Sequence, residues 1–187
     1  TRLKAEVIEI NGNDVKIQVF EDTREVQLGS LVTFEQQLLE AELGPGLLTS
    51  ILDGLQNPLQ PVANASGYFL PRGVYLPPLD RERHWNYEPK VKVGQVLQRG
   101  DTIGTTLEGR FHHQIMVPFS HFGSYKLTWV LPAGSYTVDT VVAKAEDEQG
   151  RTYEFTMVQR WPIKIPLMCG ERIKPTKMMD TGSRNID

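Results

Sequence analysis

The sequence predicts a mainly β protein with two β modules and one short helix. Two alternating apolar and polar runs, 3–10 and 15–20, flank an Asn-Gly turn and predict a β-hairpin. Between residues 91 and 160, strand-like runs alternate with glycine and proline turns, which is typical of a second β module. Apolar residues at helical spacing over about 47–56 predict the helix.

These elements divide the 187 residues into four predicted parts. The parts are a partial N-terminal β-barrel at 1–35, a connector with the short helix at 36–69, a β-rich domain at 70–158 and a second connector at 159–187. The barrel is expected to contain a further strand at 31–34, and residues 57–90 are expected to be largely irregular. Prolines at both ends of 162–166 exclude a central strand there.

Short runs bounded by turn residues define the strands of the β-rich domain. The predicted strands are 90–93, 96–97, 102–107, 113–117, 124–130, 135–145 and 151–159. The acidic run 146–148 is expected at the tip of the last hairpin, because a glycine follows it before the next apolar run.

The composition excludes several classes of function. A net charge of −3 leaves no basic face of the kind that binds nucleic acid. No apolar stretch approaches the roughly 18 residues of a membrane span, and the first residues do not predict a signal peptide. The sole cysteine, Cys169, fits a reducing compartment and is expected to be a small buried hydrophobic residue.

Two stretches of the β-rich domain resemble each other. In residues 93–104 and 131–142, a glycine turn leads to an acidic residue and then to an apolar strand. This echo is similar to the barrel-sandwich (biotinyl/lipoyl-like) fold, in which two half-motifs pair about a pseudo-twofold axis. Carrier domains of that fold attach their cofactor to a lysine just before a Val-Pro pair, but residues 112–118 hold no lysine. A carrier-type module is therefore an alternative that lacks its attachment residue.

No stretch carries a recognisable catalytic motif. The glycine clusters at 44–46 and 100–104 lack the lysine and hydroxyl of a phosphate-binding loop, so they predict turns. His112 and His113 are neighbours on a predicted strand and should point to opposite faces, and His121 follows nearby. A metal-dependent enzyme that uses these histidines is a second alternative.

The mixed-charge run at 80–83 is compatible with the paired carboxylates of a hydrolase, but equally with a solvated loop. His84 beside Trp85 is expected to pack within that loop. We therefore assign no catalytic, cofactor-binding or metal-binding residue to this chain.

Several specific stretches follow one another along the chain. They are VKIQVFEDT at 15–23, ELGPGLL at 42–48, ILDGLQNPL at 51–59, RGV at 72–74, Trp85 with Pro89, VG at 93–94, GDTIG at 100–104, IMVP at 115–118, QRWPI at 159–163 and TGSRNID at 181–187. In this order they resemble the motifs of the catalytic A subunit of V-type and A-type rotary ATPases. The chain departs from the family pattern at Asn57, Gln114, Ser183 and Asn185.

The resemblance implies an architecture and a parent activity. Residues 1–35 would belong to the collar barrel, residues 70–158 to the bulge domain, and residues from Trp161 onward would lead into the nucleotide-binding domain. Both ends of the chain are expected to be cuts within a longer protein, because Thr1 starts within a strand-like run and 181–187 end without a closing element.

In that family, alternating A and B subunits form a hexameric head that hydrolyses or makes ATP with Mg²⁺. The head is cytoplasmic and peripheral to the membrane, and its ATP chemistry is coupled to H⁺ or Na⁺ movement. The resemblance implies that this chain holds no cofactor itself. It would be a non-catalytic scaffold that contacts B subunits, other A subunits and the peripheral stalk.

Overall fold

The computed structural model describes residues 2–167 and 174–177 of the chain. The described residues form twelve strands and one α-helix: β1 Ala5–Asn11, β2 Asp14–Val19, β3 Glu40–Leu43, α1 Leu59–Ser66, β4 His84–Pro89, β5 Val96–Leu97, β6 Thr102–Glu108, β7 Phe111–Met116, β8 Tyr125–Val130, β9 Gly134–Thr137, β10 Ala143–Glu146, β11 Thr152–Phe155 and β12 Gln159–Pro162. Cys169 and the 181–187 motif lie outside the described residues. Within them, the only helix has eight residues, so none reaches the length and apolar character needed to cross a membrane.

The N-terminal hairpin forms where the alternating runs predict it. β1 and β2 pair antiparallel around Gly12, whose φ of 58° is a conformation that favours glycine. The strand predicted at 31–34 is wrong, because these residues have no regular structure and their large side chains are exposed. Their alternation meets no neighbouring strand among the described residues, and a strand cannot form without a pairing partner.

The helix lies downstream of its predicted position. Residues 47–56 form turns and an isolated bridge, whereas α1 begins directly after Pro58. Gly54 and Leu55 form a turn that interrupts the apolar repeat, and Ile51 is 77% exposed. Proline is tolerated at a helix start because the first N–H groups need no intrahelical acceptor. Pro58 therefore precedes the first turn of the helix, and the segment 47–56 that was predicted to be helical ends before it.

A two-stranded ribbon joins two regions that the sequence places in connectors. β3 pairs antiparallel with β12, and Trp161 lies opposite Ala41. Pro162 pairs with Glu40 at the end of the ribbon, where a missing N–H is tolerated. The second connector therefore begins with a strand rather than with irregular chain.

The region from β4 to β11 is a sandwich of two four-stranded sheets. One sheet has the order β7-β6-β4-β9 and the other has the order β11-β10-β8-β5. The chain runs twice through the same four-strand unit, first as β4 to β7 and then as β8 to β11. Each unit places three strands in one sheet and its short second strand in the other. This exchange explains the echo between 93–104 and 131–142.

Most strand positions in the sandwich agree with the sequence prediction, with three differences. β4 lies in the stretch expected to be irregular, while 90–93 is not a strand. The predicted strand 135–145 is split into β9 and β10 by a turn in which Thr140 N donates to Thr137 O at 3.1 Å. The predicted strand 151–159 is likewise split, into β11 and the start of β12.

The hydrophobic core lies between the two sheets. Its sixteen buried residues are Trp85, Tyr87, Val91, Leu97, Ile103, Ile115, Val117, Tyr125, Leu127, Leu131, Val138, Val142, Ala143, Ala145, Phe155 and Met157. Gly104 is part of this packing, because a Cβ atom there would lie 2.3 Å from the ring of Tyr87. The space between the two sheets is therefore filled by side chains of the sandwich itself.

Candidate functional site: two joints between the β modules

The N-terminal hairpin is fastened to the chain beyond the helix by a cluster that we call the Glu21 joint, formed by Glu21, Arg72, Gly73 and Tyr75. Glu21 lies two residues after the end of β2, and its carboxylate accepts the backbone N–H of Gly73 at 2.7 Å and the hydroxyl of Tyr75. The backbone N–H of Lys4 donates to the same hydroxyl at 2.8 Å. Burial, followed by the hydrogen bond to Glu21, raises the pKa of Tyr75.

Arg72 adds charge pairing to the Glu21 joint. Its guanidinium donates to the backbone oxygen of Asp22 at 3.2 Å and pairs with the carboxylate of Glu25. A cavity of about 420 Å³ lies between residues 20–22, the turn at 53–57 and the segment 70–75. The family motif at 72–74 thus meets the hairpin that precedes it by about 50 residues.

The turn at 53–57 lies beside the Glu21 joint and is held by hydrogen bonds of its own. The carboxylate of Asp53 accepts the backbone N–H of Leu55 at 2.8 Å and that of Asn57 at 2.7 Å. It also accepts the amide of Asn57 at 2.8 Å, and Asn57 in turn accepts the N–H of Leu76 at 3.2 Å. Burial of Asp53 raises its pKa, but these hydrogen bonds outweigh that effect and hold the pKa below its usual value.

Asn57 therefore has a structural role in this chain. It is buried, and its amide links the turn to the segment that enters the sandwich. Sequence comparison marks Asn57 only as a departure from the family pattern. The Asp-Gly-x-x-Asn spacing was the signal for this turn, since aspartate and asparagine side chains often bind backbone groups nearby.

The second cluster, the Glu42 joint, ties the β3–β12 ribbon to the sandwich. The carboxylate of Glu42 lies 2.5 Å from Arg81 and 3.3 Å from Arg160, and Arg81 also pairs with Asp139 at 2.5 Å. Gln56 closes the cluster by exchanging two hydrogen bonds with the backbone of Glu42, at 2.8 and 3.0 Å. Glu42 is only 8% exposed, so these partners stabilise a charge that is nearly removed from water.

The mixed-charge run at 80–83 separates into different structural roles. Asp80 accepts the backbone N–H groups of Glu82 and Arg83 at 2.9 and 3.1 Å, which shapes the loop before β4. Arg81 belongs to the Glu42 joint, and the guanidinium of Arg83 lies 4.1 Å from the ring centre of Trp85. This arrangement holds the loop in place and does not form a pair of facing carboxylates.

The histidines have different surroundings. His112 is exposed on β7, whereas the ring of His113 lies 3.3 Å from the carboxylate of Glu108. The ring of His121 packs edge-on against Tyr125 and Phe155 with centres 5.8 and 5.5 Å apart, and burial lowers its pKa. Across 2–167 and 174–177, no three His, Cys, Asp or Glu residues come together as a metal site.

Two hairpin tips of the sandwich lack the lysine to which a carrier domain attaches its cofactor. The β6–β7 tip consists of Gly109 and Arg110, and the β10–β11 tip spans 147–151, so neither holds a lysine. Asp147 begins the second tip, as the sequence predicts, and accepts hydrogen bonds from Arg151 and Tyr153. Burial opposes ionisation of Asp147, but these bonds outweigh it and lower its pKa.

Sequence reasoning missed a row of buried polar side chains in the sandwich. Trp85 and Tyr87 on β4, with Thr106 and Glu108 on β6, each hold a buried polar atom that lacks a hydrogen-bond partner. Polar residues within an alternating strand give no sequence signal that separates a buried face from an exposed one. Only the pairing of β4 with β6 brings these four residues together.

The comparisons with known proteins agree with this architecture. The family model for the ATP synthase alpha/beta subunit barrel-sandwich domain matches residues 76–164, and the model for the β-barrel domain of the ATP synthase alpha/beta family matches residues 1–36. These matches confirm the predicted fold class, which is mainly β with a β-barrel part, a barrel-sandwich part and one short helix.

Similar curated proteins carry the same name in several organisms. The V-type ATP synthase alpha chain of Protochlamydia amoebophila is 68% identical over 186 residues, which cover 100% of this chain and 31% of that protein. The V-type ATP synthase alpha chains of Chlamydia caviae and Chlamydia abortus are 57% and 56% identical, covering 100% and 99% of this chain and 32% and 31% of those proteins. The chain spans about a third of the length of these relatives. It belongs to the ATP synthase alpha/beta family, within which it corresponds to the β-barrel and barrel-sandwich domains of the V-type alpha chain.

Proposed function

We propose that this chain is the non-catalytic scaffold of a V-type ATP synthase alpha chain. The complete protein would hydrolyse or make ATP with Mg²⁺ and couple that reaction to H⁺ or Na⁺ transport. The observation that carries the scaffold role is the pair of joints, which tie the barrel part, the connector and the sandwich by charged contacts between residues up to 118 positions apart. A part that must resist torque needs rigid links of this kind.

The partners follow from the same proposal. The barrel part would contact B subunits and other alpha chains in a hexameric head, and the sandwich would face the peripheral stalk. The head would lie in the cytoplasm at the membrane surface. Large apolar side chains such as Ile8 and Ile10 are exposed on the hairpin. Exposed apolar side chains of this kind are typical of a surface that contacts another subunit.

We also propose the domain boundaries and the lack of site residues. The domains are a partial β-barrel at 1–35, a connector at 36–69, the bulge domain at 70–158 and a connector towards a nucleotide-binding domain at 159–187. No catalytic, metal-binding or cofactor-binding residue would lie in this chain. The glycine clusters support this, since Gly100 lies in a turn in which the N–H of Asp101 donates to Gln98 O at 3.0 Å.

Isothermal titration calorimetry of the 187-residue chain with Mg-ATP tests the lack of a nucleotide site. We expect no binding heat above dilution, because the sequence contains no phosphate-binding loop. Binding in the micromolar range would overturn the proposal. Mass spectrometry after co-expression with a lipoyl or biotinyl ligase, and elemental analysis for zinc, would detect the carrier and metal-enzyme alternatives.

The scaffold role is tested by weakening the Glu42 joint in the full-length subunit assembled with its partners. Glu42→Gln removes the charge that Arg81 and Arg160 share, so we expect ATP hydrolysis to persist while ion pumping per ATP falls. The matched control is Glu154→Gln, which breaks only an exposed pair with Lys144 and should change neither rate. Loss of hydrolysis by an intact Glu42→Gln complex would contradict a purely structural role.

A further inference from the structure

We propose that Asn11, the last residue of β1, is a site of spontaneous deamidation, which converts its side chain to aspartate and isoaspartate. Among the asparagines of the sequence, only Asn11 precedes a glycine. The residue after the asparagine governs this reaction, because its backbone nitrogen is the nucleophile and a Cβ atom beside that nitrogen hinders the attack. This proposal does not rest on the proposed function.

The reaction needs no partner other than water. The backbone nitrogen of Gly12 forms a bond to the side-chain carbonyl carbon of Asn11, and the bond from that carbon to Nδ2 breaks. The proton of the Gly12 nitrogen leaves with the amide group as ammonia, so a five-membered succinimide ring remains. Water then adds to one of the two ring carbonyls and opens the ring to aspartate or isoaspartate.

The hairpin turn exposes the nucleophile. Asn11 pairs with Asp14, which leaves Gly12 and Asn13 as a two-residue turn, and all four residues are exposed. Apart from its chain neighbours, no atom lies within 4 Å of the position that a Cβ atom of Gly12 would take. Within 2–167 and 174–177, the N–H of Gly12 donates to no backbone oxygen. The fold therefore neither covers this nitrogen nor ties it into the ladder.

The amide of Asn11 is held at its nitrogen. Nδ2 donates to Oε1 of Glu9 at 2.6 Å. Hydrogen bonds from Lys16 and then from Asn11 lower the pKa of Glu9, so this acceptor stays a carboxylate. The contact engages the atom that leaves and not the carbonyl carbon that is attacked, so it does not block ring closure.

The Asp53–Gly54 pair is a matched contrast within the same chain, because an aspartate before a glycine forms the same ring. The carboxylate of Asp53 accepts hydrogen bonds from Leu55 and Asn57, which outweigh its burial and hold its pKa below the usual value. An ionised carboxylate is a poor electrophile. We therefore expect the fold to protect Asp53 and to leave Asn11 reactive.

The products would alter the end of the hairpin. Both add a negative charge near Glu9 and Asp14 and remove the donor that Glu9 accepts. Isoaspartate also lengthens the backbone by one carbon at the position where Asn11 pairs with Asp14. The modification should therefore loosen the last pair of the β1–β2 ladder.

Peptide mapping by mass spectrometry tests the site on the 187-residue chain, aged at mildly alkaline pH both folded and in guanidinium chloride. Trypsin releases residues 5–16 as one peptide, in which Asn11 and Asn13 are the only amide side chains. We expect the intact peptide to be lost at similar rates in both samples, with aspartate and isoaspartate appearing at position 11. Isoaspartate at Asp53 should form only in guanidinium chloride.

Two variants assign the reaction to this pair of residues. Asn13→Ala removes the neighbouring amide and should leave the rate of loss unchanged. Gly12→Ala should slow the loss, also in guanidinium chloride, where the strain of alanine at a φ of 58° is absent. Survival of Asn11 in the folded chain alone, modification at Asn13 in its place, or an unchanged rate in Gly12→Ala would refute the assignment.

Discussion

The sandwich and the N-terminal part of the chain are both β-structures, but they bury their apolar residues very differently. All sixteen residues of the hydrophobic core lie within 85–157. Before residue 40, large apolar side chains are exposed instead, including Ile10 at 68%, Leu31 at 93% and Phe34 at 57%. Similar strand patterns therefore lead to a closed core in one region and to an open surface in the other.

The difference shows what strand alternation does and does not determine. Alternation sets which side chains share a face, but burial requires a second sheet to cover that face. The sandwich supplies this second sheet itself, since each of its four-strand units exchanges a short strand with the other. The N-terminal hairpin is a two-stranded sheet and is held mainly through the polar contacts of the Glu21 joint. Its stability should depend far less on apolar packing.

Phenylalanine truncation is the strongest test of this comparison. Phe155→Ala removes a ring that is 1% exposed in the sandwich core, and it should cost about 3–5 kcal/mol in the free energy of unfolding. Phe34→Ala makes the same change in the N-terminal part and should stay within about 0.5 kcal/mol. Urea unfolding measures both, with tryptophan fluorescence reporting on the sandwich through Trp85 and Trp129 and far-ultraviolet circular dichroism reporting on the strands of both regions. Equal costs would mean that residues before 40 have a core of their own.

A glycine pair sharpens the comparison at the level of close packing. Gly104→Ala places a methyl group against the ring of Tyr87 and should cost about 1–3 kcal/mol through overpacking. Gly54→Ala, in the turn that supports the hairpin, meets no atom within 4 Å and should change stability by less than about 0.5 kcal/mol. The same urea titration measures both variants. A harmless Gly104→Ala would show that the ring of Tyr87 moves aside easily.

The sequence predicts the fold best where contacts are local. The first hairpin and strands β5 to β8 follow from alternation and turn residues, and the repeat of 93–104 at 131–142 indicates the sandwich. The helix prediction at 47–56 is wrong because turns at 48–49 and 54–55 space the apolar residues as a helix would. A periodic pattern cannot distinguish these two cases.

Long-range pairing accounts for what the sequence did not predict. The β3–β12 ribbon and the Glu42 joint connect residues 118 positions apart, and no local pattern encodes such a contact. The buried polar row depends on the pairing of β4 with β6 in the same way. In the family motif, Asn57 is visible only as an unusual residue. Its link to the segment that enters the sandwich could be recognised only once the fold placed Leu76 beside it.

The smallest expected effect is a pH dependence confined to the sandwich. Burial among Tyr125, Tyr153 and Phe155 lowers the pKa of His121, so the folded state holds this ring neutral. The unfolded chain protonates at its ordinary pKa of about 6.5 and binds more protons than the folded state below that pH. The stability of the sandwich should therefore fall as the pH drops from 7.5 to 5.5.

Replacement of the ring isolates this effect. His121→Phe keeps an aromatic side chain in the cluster and should remove most of the decrease in the urea midpoint between pH 7.5 and 5.5. His112→Gln changes an exposed histidine and should leave the decrease as in the wild type. The lowered pKa values of Asp53 and Asp147 do not interfere, because their contributions are lost only near the ordinary aspartate pKa of about 3.9 and below. A decrease that survives His121→Phe would assign the proton uptake to a group outside the aromatic cluster, and the closed sandwich would then have no pH-sensitive residue at this position.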